Sequence, residues 1–310
     1  MKILITGGAG YIGSILTPLL LNEGHEVTVL DNFMYKQIPL LDHCLNPNFE
    51  IIRGDVREVD LLKKAAANKD VLIPLACLTG APLCKQDPVT ARAVNFEAIS
   101  NLLEMKSKNQ MMIFPNTNSG YGVGEENIYC DEKTPLRPIS FYGKWKVEIE
   151  QKLLDSGEAV TFRFATVFGM SPRMRLDLLV NDFTYRAVND HALVLFEPHF
   201  KRNYLHIRDA AGAFLHAIQN YEKMKGEPYN VGLSDANLSK ENLCQVIQKQ
   251  VPSFQYCISN IGEDPDKRNY IVSNEKIEKT GYRTTVSLDE GIKELLKGFS
   301  IIKQNSFSNV

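Results

Sequence analysis

A glycine-rich segment near the start of the chain constrains its fold more than any other sequence feature. Residues 6–13 read T-G-G-A-G-Y-I-G and lie between the apolar run Lys2–Thr6 and a segment of helical length, Tyr11–Glu23. A second apolar run, Val27–Leu30, follows directly. This order of strand, glycine turn, helix and strand is typical of a βαβ unit, and it predicts a parallel sheet with crossover helices.

The spacing of these glycines predicts what the turn binds. They satisfy G-x-G-x-x-G from Gly8 and also a longer variant that starts at Gly7. Glycine permits a tight turn, a close approach of the backbone to a pyrophosphate, and close packing of helix on strand. The free N–H groups of the helix N-terminus then favour the negative diphosphate. We therefore expect dinucleotide contacts from the loop residues Gly7, Gly10, Tyr11, Ile12 and Gly13.

Asp31 selects among the dinucleotides. It ends the second apolar run, 18 residues after Gly13. A carboxylate at this place accepts hydrogen bonds from the adenosine ribose hydroxyls and repels a 2′-phosphate. Asn32 follows, and no arginine stands beside it in the sequence. The pattern predicts tightly bound NAD(H) rather than NADP(H), although an aspartate that only caps a turn remains an alternative.

The rest of the chain continues this alternation and then loses it. We predict the α/β class, with a Rossmann-type doubly wound parallel sheet over residues 1–168. A smaller mixed α/β substrate-binding region, interleaved with the first, is expected over residues 169–310. Further strands are expected at Phe49–Arg53, Val71–Leu75, Met111–Pro115 and Ala159–Ala165, and short strand-like pieces in the second region at Tyr204–Ile207 and Tyr229–Gly232.

Charge and composition exclude several classes of protein. The 35 basic residues are balanced by 37 acidic ones, so the chain lacks the basic excess of a general nucleic-acid surface. No apolar run approaches the roughly 20 residues that span a bilayer, and we expect no membrane contact and a cytoplasmic location. The six cysteines form no C-x-x-C motif and no cluster with histidine, which predicts reduced thiols and no metal site.

Tyr142 and Lys146 are the candidate catalytic pair. They stand four residues apart in a predicted helix, Ser140–Leu154, and therefore on the same face. A tyrosine that accepts a proton from a sugar hydroxyl must have its pKa lowered from about 10 to near neutrality, which costs about 4 kcal/mol. An ammonium about 4 Å away, at an effective dielectric near 20, supplies on the order of 4 kcal/mol. We therefore expect Lys146 to lower the pKa of Tyr142.

These features together resemble the extended short-chain dehydrogenases/reductases that act on nucleotide sugars, the epimerase/dehydratase family. The match runs from residue 1 to about residue 298. Family members have Ser or Thr four residues before a Tyr-Gly pair, and here P-N-T-N-S-G-Y-G places Thr117 before Tyr121-Gly122. The resemblance implies that Thr117 hydrogen-bonds the reacting hydroxyl, with Ser119 as the rival. It also implies cofactor contacts from Asp55, Val56, Leu75 and Ala76, together with Asn32, Tyr142 and Lys146.

The resemblance also implies the substrate side. The segment F-G-M-S-P-R-M-R, residues 168–175, resembles the loop that leads into the sugar pocket, and R-N-Y-L-H-I-R-D, residues 202–209, resembles a second family motif. The planar guanidinium of an arginine can make two parallel hydrogen bonds to the oxygens of one phosphate. Another match, D-K-R-N-Y, covers residues 266–270. The substrate-binding residues implied are Thr117, Asn118, Ser119, Arg175, Asn181, Arg202 and Arg268.

The reaction implied is oxidation at C4 of the sugar. In dehydratases of this family the catalytic threonine is followed by Asp-Glu. In this chain Asn118 and Ser119 follow Thr117, so dehydration is not expected. A C4 dehydrogenase and a C4 epimerase remain open. A similarity to bacterial surface-polysaccharide enzymes suggests GDP-manno-heptose as a substrate. The alternatives are an NAD(P)H-dependent 4-keto-sugar reductase and a non-catalytic NAD(H)-sensing relative.

Assembly is a further implication of the resemblance. The helices at about 88–108 and 140–155 are those that family members pair in a dimeric four-helix bundle. We therefore expect a homodimer.

Overall fold

A computed structural model gives the fold, and it describes residues 1–125, 127–261 and 267–302. Asp266 of the predicted substrate motif lies outside these ranges, as do residues 303–310 of the predicted second region. The described strands are β1 Lys2–Thr6, β2 Glu26–Asp31, β3 Phe49–Arg53, β4 Val71–Pro74, β5 Met111–Thr117, β6 Tyr129–Cys130, β7 Ala159–Phe164, β8 Thr166–Phe168, β9 Ala192–Leu195, β10 Lys201–His206, β11 Pro228–Val231, β12 Asn237–Ser239, β13 Gln255–Ile258 and β14 Ile271–Val272.

The α-helices of the same ranges alternate with these strands in the first half of the chain. They are α1 Gly13–Asn22, α2 Val59–Ala66, α3 Ala81–Gln86, α4 Pro88–Arg92, α5 Ala98–Met105, α6 Phe141–Asp155, α7 Leu179–Asn189, α8 Ile207–Gln219, α9 Tyr221–Met224, α10 Lys240–Gln250, α11 Glu275–Lys279 and α12 Leu288–Phe299. None of the helices described is both long and apolar enough to cross a bilayer.

The central sheet confirms the predicted fold class. Its strand order is β11-β7-β5-β4-β1-β2-β3, and every pairing in it is parallel. The inner strands are buried on both faces, as parallel strands covered by helices must be, whereas no residue of the edge strand β3 is fully buried. All six residues of β7 are buried, and Ile3, Leu4 and Ile5 of β1 are fully inaccessible.

The order of the strands decides where a ligand can bind. The chain runs outward from β1 through β2 and β3 in one direction and through β4 and β5 in the other. Crossover helices therefore leave a crevice between the carboxyl ends of β1 and β4, which is the usual ligand site of such sheets. Thr6 pairs with both Leu30 and Pro74, so the turns after three neighbouring strands open at one edge.

Two packed layers close the sheet. On one face α1 and α8 meet the sheet through residues such as Leu16, Leu20 and Phe214. On the other face α2, α5 and α6 pack through residues such as Leu62 and Ile149. A separate apolar core holds α7, α10 and α12 against the smaller sheet β12-β10-β8.

The structure corrects the assignment of the strand near residue 229. We expected Tyr229–Gly232 to belong to the substrate region, but Pro228–Val231 pairs with β7 and forms the edge of the central sheet. Conversely, β6 from the first half pairs with β14 from the second. The two regions are thus interwoven in space, while the boundary at residue 168 remains a prediction.

The helix expected from Asp87 to Lys106 forms with an interruption. The Asp87 side chain accepts from the backbone N–H of Thr90 at 3.0 Å and caps α4, with Pro88 in the first turn. A π-helical turn, Ala93–Glu97, then separates α4 from α5. Such turns occur mostly at functional positions, and this one carries Asn95.

Candidate active site

The glycine turn after β1 is packed so tightly that side chains larger than glycine would not fit at Gly7 and Gly13. Gly7 has a φ of +71°, and a Cβ there would lie 2.5 Å from the backbone nitrogen of Ala76. A Cβ on Gly13 would lie 2.5 Å from the Gly8 carbonyl oxygen. The turn therefore packs directly on the segment after β4, and the backbone at the start of α1 stays accessible to a diphosphate.

A cavity runs from this turn along the carboxyl ends of β2, β3 and β4. Its wall includes most of the predicted cofactor residues, and the chemistry of that wall fits a dinucleotide: backbone amides, a carboxylate and apolar surface for an adenine ring. The residues that line it and that we predicted as cofactor contacts are Gly7, Gly10, Asp31, Asn32, Asp55, Val56, Leu75 and Ala76.

Asp31 lies in the cavity wall, and its carboxylate also organises the backbone. It accepts hydrogen bonds from the N–H of Ala9 at 3.0 Å and of Phe33 at 2.8 Å. Each oxygen retains a second lone pair for a ribose hydroxyl. Burial raises the pKa of Asp31, while those two N–H groups and the charge of Arg173 act against the rise.

The position of Arg173 corrects one part of the sequence argument. No arginine follows Asp31 in the sequence, yet the fold brings Arg173 close enough to influence its charge and into the wall of the same cavity. The group that would repel the 2′-phosphate of NADP(H) is therefore the Asp31 carboxylate with the positive charge of Arg173 near it, and not an isolated carboxylate.

Asn32 and Asp55 meet at the far end of the cavity. The Asn32 amide donates to Asp55 at 3.1 Å, and Arg57 binds the same carboxylate through Nε and Nη2, both at 2.9 Å. The hydrogen bond from Arg57 lowers the pKa of Asp55 to about 2 against the opposing effect of burial. This carboxylate is therefore ionised and held in place beside Val56.

Asn95 holds the segment that passes over the cavity. Its carboxamide accepts from the N–H of Leu78 at 2.8 Å and donates to the Leu78 carbonyl at 2.9 Å, and the residue is fully buried. The segment Leu75–Leu78 is thereby fixed from the π-helical turn. Cys77 on it lies close enough to Tyr142 for each group to affect the pKa of the other.

The predicted catalytic pair, Tyr142 and Lys146, lies on α6, which Ser140 caps by accepting from the Gly143 N–H at 3.1 Å. Lys146 is 3% exposed, and its amine donates to the Pro115 carbonyl at 2.7 Å and lies over the Phe114 ring. Burial lowers the pKa of Lys146. The pair therefore borders β5, where Thr117 ends the strand.

Burial is the largest influence on the pKa of Tyr142 in the polypeptide. Burial, and after it the thiols of Cys77 and Cys84, raise this pKa well above its ordinary value, while the charges of Arg175 and Arg268 act against the rise; the lowering by Lys146 remains a prediction. The physical reason is that a phenolate inside the protein loses its hydration. The sequence argument counted the attraction of one ammonium and omitted this loss.

Thr117 and Ser119 form a short polar chain beside this pair. Their hydroxyls lie 2.9 Å apart, and Arg268 donates a hydrogen bond to the Ser119 hydroxyl. Arg268 therefore joins the predicted catalytic threonine and the predicted tyrosine in one electrostatic unit. Asn118 between them is fully buried, and neither polar atom of its side chain has a hydrogen-bond partner within the described residues.

Two residues predicted as ligand contacts, Tyr11 and Asn181, have hydrogen-bond partners inside the fold. The Tyr11 hydroxyl donates to the Gly169 carbonyl at 2.6 Å, and its side chain is not part of the cofactor cavity. Asn181 is fully buried; its amide donates to the Tyr11 hydroxyl and the Arg175 carbonyl, and its oxygen accepts from the Gly169 N–H. Asn181 thus orients the loop after β8, because both of its donors are already engaged inside the protein.

The predicted substrate arginines separate into two places. Arg175 binds Asp177 through two nitrogens and lies near enough to Tyr142 to lower its pKa. Arg202 is 3% exposed, donates to the Lys201 carbonyl at 2.9 Å, and lies over the ring of Tyr270, two residues beyond Arg268. The structure brings Arg175 and Arg268 to the catalytic tyrosine and places Arg202 beside Tyr270.

Four residues of this region were not among the predicted site residues. Cys77 lies near the predicted catalytic tyrosine, and Tyr35, Gln37 and Arg173 line the cofactor cavity. The sequence offered a signal for Tyr35 and Gln37, because both lie in the turn that follows Asp31 at the end of β2. Nothing local in the sequence indicates Arg173.

Comparisons with known proteins find relatives that match almost the whole chain. The chain is 28% identical over 313 residues to UDP-glucuronic acid decarboxylase 1 of Arabidopsis thaliana, covering 96% of this chain and 70% of that protein. It is 26% identical over 304 residues to a putative UDP-glucose 4-epimerase of Methanocaldococcus jannaschii, covering 95% and 97%. A UDP-glucuronic acid 4-epimerase from Bacillus cereus, solved with UDP-glucuronic acid and NAD, superposes with a TM-score of 0.85 at 24% identity, covering 97% of this chain and 99% of that one.

The structural likeness establishes the fold, and the family model establishes membership. The model described as the NAD dependent epimerase/dehydratase family matches residues 3–232, which span the glycine turn, Asp31, the Thr117 segment and the Tyr142–Lys146 pair. The chain belongs to the NAD dependent epimerase/dehydratase family and is an NAD-dependent enzyme.

Proposed function

We propose that the protein oxidises C4 of a nucleotide-activated sugar with NAD⁺, as a C4 dehydrogenase or a C4 epimerase. The observation that carries the proposal is the unit of Tyr142, Arg268, Ser119 and Thr117. Tyr142 accepts a hydroxyl proton in its phenolate form, and the hydroxyls of Ser119 and Thr117 lie next to each other. Arg268 donates to Ser119 and its charge favours the phenolate of Tyr142. Proton removal from a sugar hydroxyl needs these groups within reach of one another.

Each residue has a distinct part in this reaction. Tyr142 accepts the proton of the C4 hydroxyl, and Thr117 holds that hydroxyl by a hydrogen bond. Lys146, anchored on the Pro115 carbonyl, fixes the face of α6 that carries Tyr142. Bound NAD⁺ would take the C4 hydride and would add a positive charge near the buried phenol, which favours its ionisation.

The names of the relatives are compatible with this shared step. One relative is a UDP-glucuronic acid decarboxylase and another a putative UDP-glucose 4-epimerase. A carboxylate two carbons from a ketone is readily lost, and a C4 ketone can be reduced from either face. Oxidation at C4 therefore precedes both outcomes, and Asn118-Ser119 in place of an acidic pair argues against dehydration.

The finer assignments are proposals of the same kind. GDP-manno-heptose as substrate and a role in bacterial surface polysaccharides, including capsule, rest on the resemblance of residues 168–181 and 267–270. Homodimerisation through the helices at 88–108 and 140–155 is supported by exposed apolar side chains on them, among them Val89 and Phe141. Light scattering that finds only single-chain mass at low concentration would contradict the dimer.

The test begins with the cofactor and continues with the sugar. The purified protein is denatured and the released dinucleotide identified by mass spectrometry; NAD(H) is expected, and NADP(H) would favour the 4-keto-sugar reductase. UDP-glucose, UDP-glucuronic acid and GDP-manno-heptose are then supplied separately, with NMR for a 4-keto or C4-inverted product and absorbance at 340 nm for NADH.

Two matched variants give the experiment its control. Tyr142→Phe is expected to reduce kcat at least 100-fold while NAD(H) stays bound. Tyr129→Phe, at a side chain 54% exposed, makes the same chemical change and is expected to leave the rate unaltered. No turnover in the parent protein with any of the three sugars would refute the assignment for these substrates, and unchanged behaviour of Tyr142→Phe would favour an NAD(H) sensor.

A further inference from the structure

The cofactor cavity has a wall on its open side that comes from two distant parts of the chain. One part is the turn after β2, where Phe33 and Lys36 both adopt positive φ angles, 53° and 56°. The other is the loop after β8. Tyr35 from the first and Arg173 from the second both line the cavity.

The loop after β8 is tied to the start of α1. The Ser171 hydroxyl donates to the Tyr11 carbonyl at 2.8 Å and lies 2.8 Å from the Ser14 hydroxyl in the first turn of that helix. Arg173 follows two residues later. The tie therefore holds the loop that carries Arg173 against the start of α1, where free N–H groups favour an anion, and Arg173 lines the same cavity as Gly7 and Gly10.

Arg173 lies over the ring of Tyr35. The guanidinium carbon lies 4.0 Å from the centroid of the Tyr35 ring, and Arg173 is only 2% exposed. The ring and the Met174 carbonyl, which accepts from Nη1 at 3.2 Å, hold the guanidinium in place. The two side chains thus form one contact between the turn after β2 and the loop after β8.

Polar atoms next to this contact point to a ligand. Among the described residues, the hydroxyl of Tyr35 and the carbonyl oxygen of Gln37 are buried and have no hydrogen-bond partner. Buried polar groups in proteins are almost always satisfied. Burial also raises the pKa of Tyr35, so its hydroxyl keeps its proton and acts as a donor.

The charges select the part of the dinucleotide that fits here. The described wall carries two arginines, Arg57 and Arg173, and Arg57 forms two hydrogen bonds with the Asp55 carboxylate. Arg175 lies near enough to Arg173 to disfavour its charge, and a negative group at the glycine turn would relieve this repulsion. The diphosphate is the negative group of the cofactor, whereas adenosine is neutral.

We propose that Tyr35 and Arg173 form a clasp over the dinucleotide cavity, in which both side chains bind the diphosphate of NAD(H) and slow its release. The clasp rests on the NAD dependence of the proposed function and not on its sugar chemistry. It accounts for the unpartnered phenol and for the burial of a guanidinium so close to the glycine turn.

The experiment measures release of NADH from the loaded protein, with no sugar present. Bound NADH is chased with excess NAD⁺ and its fluorescence followed in the parent protein, in Arg173→Gln and in Tyr35→Phe. A charge-assisted hydrogen bond corresponds to a change of about 10- to 100-fold, and this acceleration is expected for Arg173→Gln. Tyr35→Phe keeps the ring and is expected to accelerate release by about 3- to 10-fold.

A competition measurement locates the contact on the diphosphate. ADP-ribose and adenosine each displace NADH from the same preparations. In Arg173→Gln the potency of ADP-ribose relative to NADH is expected to stay constant, because both contain the diphosphate. Adenosine, which lacks it, is expected to gain about 10- to 100-fold in potency relative to NADH.

Arg186→Gln is the matched control, since it removes an equal charge from a helix surface, where Arg186 is 47% exposed and paired with Asp182. It should release NADH at the parent rate. Release within twofold of the parent in either clasp variant overturns the proposal, as does an unchanged relative potency of adenosine in Arg173→Gln. If that variant does not fold, Tyr35→Phe decides alone. C4 oxidation is assayed separately, so its failure would leave the release result interpretable.

Discussion

Arg268 donates a hydrogen bond to the hydroxyl of Ser119, 149 residues away in the chain. Ser119 in turn lies 2.9 Å from the Thr117 hydroxyl. The substrate side and the catalytic strand end are therefore connected through one serine. The two rival hydroxyls therefore differ in their surroundings. Ser119 accepts a hydrogen bond from Arg268, whereas Thr117 is the last residue of β5.

Thr117→Val and Ser119→Ala should therefore have different kinetic effects. Loss of the hydroxyl that holds the reacting group is expected to lower kcat about 100-fold for Thr117→Val. Ser119→Ala should change kcat less than about tenfold and mainly raise KM, since Arg268 loses a partner. Steady-state kinetics on the substrate identified above decides, and a larger kcat effect in Ser119→Ala would assign the catalytic role to Ser119.

The pH dependence of the reaction should respond to Arg175. Burial raises the pKa of Tyr142, and the charge of Arg175 acts against this rise. A proton acceptor works when it is deprotonated, so removal of the cation should move the rising limb of the kcat profile to higher pH. Arg175→Met is expected to show this displacement and Arg175→Lys to keep the parent profile. Coincident profiles for all three proteins would contradict the electrostatic role.

Gly7 should be far less tolerant of alanine than Gly24, although both have positive φ. The angles are +71° and +79°, but an added Cβ meets the Ala76 backbone at 2.5 Å only at Gly7, whereas at Gly24 nothing lies within 4 Å. Gly24→Ala is expected to lower the free energy of unfolding by about 1–2 kcal/mol from the left-handed conformation alone. Gly7→Ala adds a backbone clash, and its NAD(H) affinity should fall at least tenfold. Denaturant unfolding and NADH titration measure both, and equal affinities would contradict the close approach.

Glu294 should make stability depend on pH in the acidic range. Burial disfavours its charge, but hydrogen bonds from His206 and from the Met170 N–H bring the pKa of Glu294 down to about 2. A carboxylate whose pKa is lower in the folded state stabilises the fold above its ordinary pKa of about 4.5, and this stabilisation disappears as the pH falls from about 4.5 to 2.

Glu294→Gln is expected to lower the free energy of unfolding by about 1–2 kcal/mol at pH 7. The difference from the parent should shrink toward pH 3, which urea unfolding at several pH values would follow. Glu290→Gln is not a suitable control because Glu290 completes the capping box of α12; Lys293→Gln on the same helix serves instead. A difference that is constant with pH would rule out the charge as its cause.

The local part of the site was predictable because its information is local. Periodicity and turn residues predict the strands and helices around the glycine loop, and a spacing of four places Tyr142 and Lys146 on one helix face. The carboxyl ends of parallel strands meet at one edge, which is why Asp31, Asp55 and Leu75 line one cavity; the cofactor contacts of Asp55 and Leu75 were implied by the family resemblance and stay predictions. The sequence does not indicate the role of the loop after β2, whose residues Tyr35 and Gln37 line the cofactor cavity.

By itself, the sequence determined the fold class and the dinucleotide turn, since each depends on neighbours within a few residues; it also predicts the helix that carries Tyr142 and Lys146, whose catalytic role stays a prediction. Only the tertiary structure decided that Arg173 lies beside Asp31, that Arg268 reaches Ser119, and that Asn181 is used internally. These outcomes depend on how segments more than a hundred residues apart pack together. The same packing buries Tyr142, and desolvation then raises a pKa that the helical spacing alone led us to expect would fall.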